Sequence, residues 1–425
     1  MIKINKLDLL ENSKTFCMYP WIHLHTTPSG RTAPCCIAKS CTDDYALNPN
    51  DYNLMELVNS DMMKTLRLDM LKGVQNPECE NCYKHEKQNI CSSRKSVNKD
   101  FGKYFDEAIA STNLEDGSLK QFKMRYFDIR FSNICNFKCR TCGLHYSSQW
   151  EQEDIKHSPI HVNPIPKNNN KEFLQNVLDQ IPYMDTAYFA GGEPLITEEH
   201  YILLEEMIRL GRTNIQLKYN TNLSNLRFKS KDLLSIWKNF KMPIQIYASI
   251  DHYGERAEYL RHGTDWGVIE SNFLTIKQQS NINLSINTVL SAFNLLTIDK
   301  FYNYLIDKGM YYPTCDVYSL YPMATPTHLS CHILPMEYKD QAKIKLQNCV
   351  DRFTKENFTH EQTHEFVNGI RWIYSENTWE REKFNFFSEV NRLDRIRGEN
   401  FSKVFPELAP LYESMKPQRR PLPTI

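Results

Sequence analysis

The chain has no excess of charge of either sign: 51 Lys plus Arg stand against 51 Asp plus Glu, for a formal net charge of zero. No global field therefore draws it to nucleic acid or to anionic lipid, and polyanion binding is disfavoured. It also lacks any apolar run approaching the roughly 18 residues that span a bilayer. The opening MIKINKLDLLENSK has no apolar stretch of the kind a secretory signal carries. No internal repeat is present. These absences lead us to expect a soluble, cytoplasmic protein with no membrane or nucleic-acid partner. At 425 residues there is chain for about three domains of roughly 150 residues, or for one barrel with an appended module.

Cysteine is what the chain does have, with 13 residues. In a reducing compartment clustered thiols are more often metal ligands or catalysts than disulfides. Cys17, Cys35, Cys36, Cys41, Cys79, Cys82 and Cys91 lie near the amino terminus, Cys135, Cys139 and Cys142 form a second group, and three more follow. The polar stretch STNLEDGSLK, 111–120, separates the groups and reads as a linker. We expect a Cys-rich module over 1–110, an α/β domain over 121–325 and a helical carboxy-terminal extension over 326–425 with a disordered tail, KPQRRPLPTI.

From Arg125 onward, short apolar segments alternate with helix-like ones: RYFDIRFS, DTAYFA, NIQLKY, PIQIYASI, NINLSINTVL and CDVYSLY. That rhythm predicts a parallel α/β sheet or barrel, about two strands short of the eight of a closed (β/α) barrel. HYILLEEMIRLGR and KDLLSIWKNF suit crossover helices, and HSPIHVNPIPKNNN, 157–170, reads as an exposed loop or lid. Side chains alternate faces along a strand, so Tyr126, Asp128, Arg130 and Ser132 share one face. Gln245, Tyr247, Ser249 and Asp251 do likewise, as do Asn283, Ser285 and Asn287. Polar groups on a buried sheet face need partners or a wet cavity. An open barrel interior meets that need; a half-exposed antiparallel sheet is the alternative.

Directly after the first strand comes SNICNFKCRTCG, with Cys135, Cys139 and Cys142 spaced C-x3-C-x2-C. Three thiolates on one short loop can face a single metal centre. On a cubane iron-sulfur cluster they leave one iron open to a small molecule. Zinc closed by His145 as fourth ligand is the rival reading. His23 and His25 in WIHLH share a strand face, more often core than ligand.

This spacing after a first strand resembles the radical S-adenosylmethionine (radical SAM) superfamily, although Thr141 stands where the family usually has an aromatic. The resemblance implies an incomplete (β/α)6 barrel and a 4Fe-4S cluster whose open iron chelates S-adenosylmethionine. Its reduction yields a 5'-deoxyadenosyl radical, with an electron donor such as flavodoxin or ferredoxin. Later segments agree in order. Gly191, Gly192, Glu193 and Pro194 resemble the family's GGEP motif, which holds the methionyl amino group, and paired glycines let backbone come close to a ligand. Ser249 and Asp251 in YASID resemble its ribose-contacting segment. Asn220, Thr221 and Asn287 are further candidates for that pocket, and Arg261 for the cofactor carboxylate. The sequence singles out no catalytic side chain.

Cys17, Gly30 and Cys35, spaced C-x12-G-x4-C, followed by Cys79 and Cys82 as C-x2-C, resemble the auxiliary-cluster SPASM and twitch domains, here ahead of the barrel instead of behind it. Four thiolates suffice for one closed 4Fe-4S site, with Cys36, Cys41 or Cys91 as possible substitutes and a four-cysteine zinc site as the competitor. The resemblance implies a peptide substrate, or a small polar metabolite such as a nucleotide sugar. The competing class is a non-catalytic zinc-binding interaction protein. FNFFSEVNRLDRIRGENFSKVFPEL near the end of the chain reads as a packed helix able to cover the barrel mouth.

Overall fold

The computed structural model describes residues 4–42, 46–87, 91–157, 170–313 and 320–415. The interior of the 157–170 loop, the first part of CDVYSLY with Cys315, and the tail from residue 416 lie outside the described residues.

Eight strands form the main sheet: β1 (His23–Thr26), β2 (Thr32–Ala33), β3 (Tyr126–Ile129), β4 (Thr186–Phe189), β5 (Gln216–Thr221), β6 (Ile244–Ser249), β7 (Ile282–Leu290) and β8 (Leu320–Pro322). Their order is β8-β7-β6-β5-β4-β3-β1-β2. From β3 to β8 every neighbouring pair is parallel and the spatial order follows the chain, as short right-handed crossovers require. Helices fill the connections, among them Ser148–His157, Glu198–Arg209, Trp266–Lys277 and Ile298–Asp307. All six expected strands are thus present in a parallel α/β sheet, with β2 and β8 as its two edges.

The sheet does not stop at the boundary near residue 120. β1 pairs in parallel with β3, His23 beside Tyr126 and His25 beside Asp128, and β2 adds an antiparallel edge. The 111–120 stretch is a closed turn, bridged from Thr112 to Leu119. It packs on the helix Asp61–Lys72, whose fully buried Arg67 donates from Nη1 to the Gly117 carbonyl at 3.1 Å.

Register explains the two faces. Phe127, Ala187, Leu217, Ile246 and Ile286 are buried on one face, under helix residues such as Tyr201, Trp237, Phe273 and Phe301. Lys218 beside Tyr188 and Gln245, Ser285 beside Tyr247, and Asn287 beside Ser249 lie on the other. The polar face anticipated on three strands continues across the parallel sheet, which disposes of the antiparallel alternative.

After β8 the chain is helical: Met336–Lys355, His360–Ser375 and Trp379–Arg397. Among the described residues no helix is long and apolar enough to cross a membrane.

Candidate functional site

The three-cysteine loop leaves β3 at its carboxy-terminal end, where α/β sheets place their sites. Cys135, Cys139 and Cys142 line one cavity of about 240 Å³, together with Gly191, Gly192, Asn220, Thr221, Ser249 and Arg261. Burial pushes all three thiols up, with neighbouring thiols adding to the effect at Cys135 and Cys142, which reaches about 12. A metal takes thiols as thiolates, so a cation bound among them would have to offset that cost. His145 is exposed and does not line the cavity.

Around this cavity the sequence-predicted residues divide by task. Gly192 has no room for a side chain, because a Cβ there would lie 2.1 Å from the Ile134 carbonyl oxygen. Next to it the Glu193 amide donates to that same carbonyl at 2.7 Å, which stitches the GGEP turn to the cysteine loop. The close backbone approach therefore serves the protein at Gly192, while Gly191 takes a left-handed φ of +124° at the cavity wall. The Glu193 carboxylate is 1% exposed and accepts from the Thr221 hydroxyl and the Asn222 amide, both at 2.7 Å, and from the Leu195 amide at 3.0 Å. It and Pro194 lie behind the wall instead of lining the cavity. Burial still dominates over these bonds and raises Glu193 to about 7.

Asp251 is likewise a holder. One carboxylate oxygen accepts from the Val289 amide at 2.8 Å and the other lies 2.9 Å from Arg261 Nε, while Arg261 Nη1 reaches Cys139 Sγ at 3.9 Å. Ser249 faces the cavity, and Asn287 sits beside it in register with a buried Oδ1 that has no partner among the described residues. Three thiols, a hydroxyl and a guanidinium on one cavity wall, with the orphaned Asn287 oxygen in register behind Ser249, are a donor set that fits a polar, charged ligand on an iron-sulfur cluster.

Several groups were not foreseen. Arg130 and Tyr188, on the polar strand face, line the same cavity; that face was the signal for them. Behind Arg130, Asp128 accepts from its Nε at 3.1 Å and pairs with His25 Nδ1 at 2.9 Å. His23, His25 and Asp128 have ligand atoms within 4.8 Å of one another. Arg130 is the counter-charge of Asp128, while His23 bonds through Nδ1 to the Tyr126 carbonyl at 2.9 Å and is held down near 4 by burial, and so neutral.

The cysteine loop is also held from outside. Lys138–Cys139 pairs as a short antiparallel ribbon with Arg261–His262. Trp150 donates to the Cys139 carbonyl at 2.7 Å. Arg140 is buried, lies 3.7 Å above the Tyr259 ring and pairs with Asp394 at 2.6 Å and with Glu399.

A second cysteine group sits in the amino-terminal module. Cys17, Cys35, Cys79 and Cys82 line one small cavity of about 20 Å³. Gly30 makes the turn between β1 and β2 at φ +79°, where a Cβ would meet the Asn48 side chain at 2.9 Å. The turn Pro77–Cys79 and the helix Glu80–Lys87 bring in the other two thiols. Arg94 ties this helix down, pairing with Glu86 at 2.6 Å and donating to the Phe16 carbonyl at 2.9 Å. Cys36, Cys41 and Cys91 do not line the cavity, and Cys36 and Cys91 are exposed.

Residues 17–83 match the family model of SPASM, an iron-sulfur cluster-binding domain. Among solved structures, native anSMEcpe with bound AdoMet and Cp18Cys peptide is similar at 17% identity, covering 64% of this chain and 65% of that one, with a TM-score of 0.35. Streptococcus suis SuiB bound to S-adenosylmethionine is similar at 15% identity over 70% of this chain and 63% of its own, with a TM-score of 0.37. TYW1 with a lysine-pyruvate adduct bound is similar at 14% identity over 42% of this chain and 58% of that one, with a TM-score of 0.23. The chain thus spans less than two thirds of the length of these structures. No curated protein sequence matches it.

Proposed function

We propose that the chain is a radical SAM enzyme with two iron-sulfur sites, one open in the α/β domain (121–325) and one closed in the amino-terminal module (1–110), and with the 326–425 segment as a structural extension. The observation that carries this reading is the single cavity lined by three thiols from one loop, with His145 outside it. Three protein ligands on a cubane leave a vacant iron. When bound there, the cluster and S-adenosylmethionine supply reductive cleavage of the sulfonium and a 5'-deoxyadenosyl radical that abstracts a substrate hydrogen.

The residues of the chain bind and orient. Cys135, Cys139 and Cys142 hold the cluster as thiolates. Arg261, fixed by Asp251, presents a guanidinium to a carboxylate beside Cys139. Ser249 and Asn220 offer hydroxyl and amide groups to a ribose diol. Asn287 supplies the acceptor its neighbours leave unsatisfied. Glu193, Thr221 and the glycine turn keep the cavity wall in place; Glu193 acts through the wall, not through contact with an ammonium. The polar strand face is the floor on which the substrate lies.

The SPASM match supports an auxiliary iron-sulfur site in this module, and the shared cavity of Cys17, Cys35, Cys79 and Cys82 supports these four as its ligands, which would leave no free corner and suit electron transfer or shielding of the radical site. We infer a peptide as the substrate, the class on which enzymes with such modules commonly act, and a flavodoxin- or ferredoxin-type protein as electron donor, in the cytoplasm.

Anaerobic reconstitution with iron and sulfide tests this. The reading expects about eight irons per chain, the content of two cubanes, and conversion of S-adenosylmethionine to 5'-deoxyadenosine under reducing conditions. Stoichiometric zinc without cleavage would instead make the chain a zinc-binding interaction protein.

A further inference from the structure

The cysteine loop carries a buried cation of its own. Arg140 follows Cys139 directly, and its side chain is 1% exposed. Charges in such surroundings are held only when compensated. Both compensating carboxylates come from the far end of the chain: Asp394, on the helix Trp379–Arg397, accepts from Arg140 Nη2 at 2.6 Å, and Glu399, just beyond that helix, accepts from the same nitrogen.

Neither carboxylate is there for Arg140 alone. Asp394 also accepts from the Tyr259 hydroxyl at 2.7 Å and from the Phe401 amide at 2.7 Å. Glu399 lies 2.5 Å from His262 Nδ1, on the strand that pairs with Lys138–Cys139. The same helix end reaches the loop a second time. Arg397, fully buried, pairs with Glu153 at 2.7 Å, Glu153 pairs with Lys138, and Arg397 lies 4.7 Å over Trp150, the ring that holds the Cys139 carbonyl. Residues on both sides of Cys139 are therefore gripped by one segment.

Stability alone does not account for this. Buried ion pairs contribute about as much as the apolar contacts that could replace them, whereas they do fix register and local charge. We infer that the carboxy-terminal segment is the holder of the cysteine loop, and that Asp394 and Glu399, by orienting and neutralising Arg140, set the reduction potential of the cluster bound there. The inference rests on the radical SAM reading of that loop. Asp394 and Glu399 are positioning residues; neither lines the cavity. Arg140 does not line the cavity either, and its link to the cluster is through its neighbour Cys139. The sign follows from charge: a buried guanidinium left without counter-ions one residue from a cluster ligand favours the more negative, reduced form, so the potential rises when the carboxylates are neutralised.

The test is an EPR-monitored redox titration of the anaerobically reconstituted full chain, with the barrel cluster identified by the change its signal undergoes when S-adenosylmethionine is added. In the double variant Asp394→Asn, Glu399→Gln we expect parental iron content and circular dichroism, a barrel potential moved to more positive values and an auxiliary potential unchanged. Should the double variant fail to fold, Glu399→Gln alone carries the comparison, with a smaller shift of the same sign. Glu407→Gln breaks an ion pair of the same segment to Arg256, at 2.7 Å, and leaves both potentials where they are. A barrel potential equal to the parent's in folded, iron-loaded variants overturns the inference, and so does a shift of both clusters together. A parent that binds no cluster on Cys135, Cys139 and Cys142 fails the functional reading itself, before any variant is compared.

Discussion

The two cysteine groups use the same side chain to opposite ends. In the α/β domain three thiols come from residues 135–142 and line about 240 Å³ of space shared with polar side chains from several strand ends. In the amino-terminal module four thiols come from separate stretches of chain and close on about 20 Å³. On the proposed reading the first arrangement would leave a corner of a cubane for a ligand, and the second would leave none.

Breaking each group separately is the sharpest use of that contrast. Cys139→Ala should reduce 5'-deoxyadenosine formation to the level of the protein-free control, as measured by chromatography after anaerobic reduction. Cys82→Ala should instead lower iron to about half, the loss of one of two cubanes, while cleavage of S-adenosylmethionine persists. Equal cleavage by the Cys139 variant and the parent would erase the difference between the sites.

A smaller effect is expected where the cavity wall meets the cysteine loop. Gly192→Ala places a Cβ against the Ile134 carbonyl, an overpacking that costs about 1–3 kcal/mol or more. The urea midpoint should fall accordingly, and iron should be lost from the barrel site first. Gly73→Ala meets nothing within 4 Å, so any loss there reflects only its left-handed φ of +74°.

A further expected effect concerns pH. Glu193 is raised to about 7 by burial, above the roughly 4.3 of an unfolded chain. The folded state therefore holds this proton more tightly, and the associated stability is present below about pH 4.3 and is lost as pH rises toward 7. Glu193→Gln removes that titration, so the fall in stability between pH 5 and 7 should be shallower than in the parent in denaturant titrations at matched ionic strength.

Much of the barrel was legible because its signals are local. Each strand shows its polar and apolar faces in adjacent residues, and the C-x3-C-x2-C and GGEP segments are contiguous. The register then brought Gly191, Asn220 and Ser249 to one cavity, as their positions at strand ends suggested, and Arg261 joins them from the end of the helix Gly254–Leu260. What was not legible depends on distance along the chain. Nothing in WIHLH says that its strand will lie beside RYFDI, and nothing near Arg140 points to carboxylates at 394 and 399. Nor does a motif say which way its side chain turns. The Glu193 carboxylate accepts from the Asn222 amide and that of Asp251 from the Val289 amide, with Arg261 beside it, partners that neither GGEP nor YASID names.

The central claim, a cluster held by three thiols with its fourth iron free, is tested most directly by adding S-adenosylmethionine carrying 15N in its methionyl amino group to the reduced protein and recording electron-nuclear double resonance. The account predicts a 15N hyperfine coupling on the barrel cluster that is absent with unlabelled cofactor. A reduced barrel cluster whose spectrum is unchanged by the cofactor, with a coupling to a protein nitrogen in its place, would contradict it.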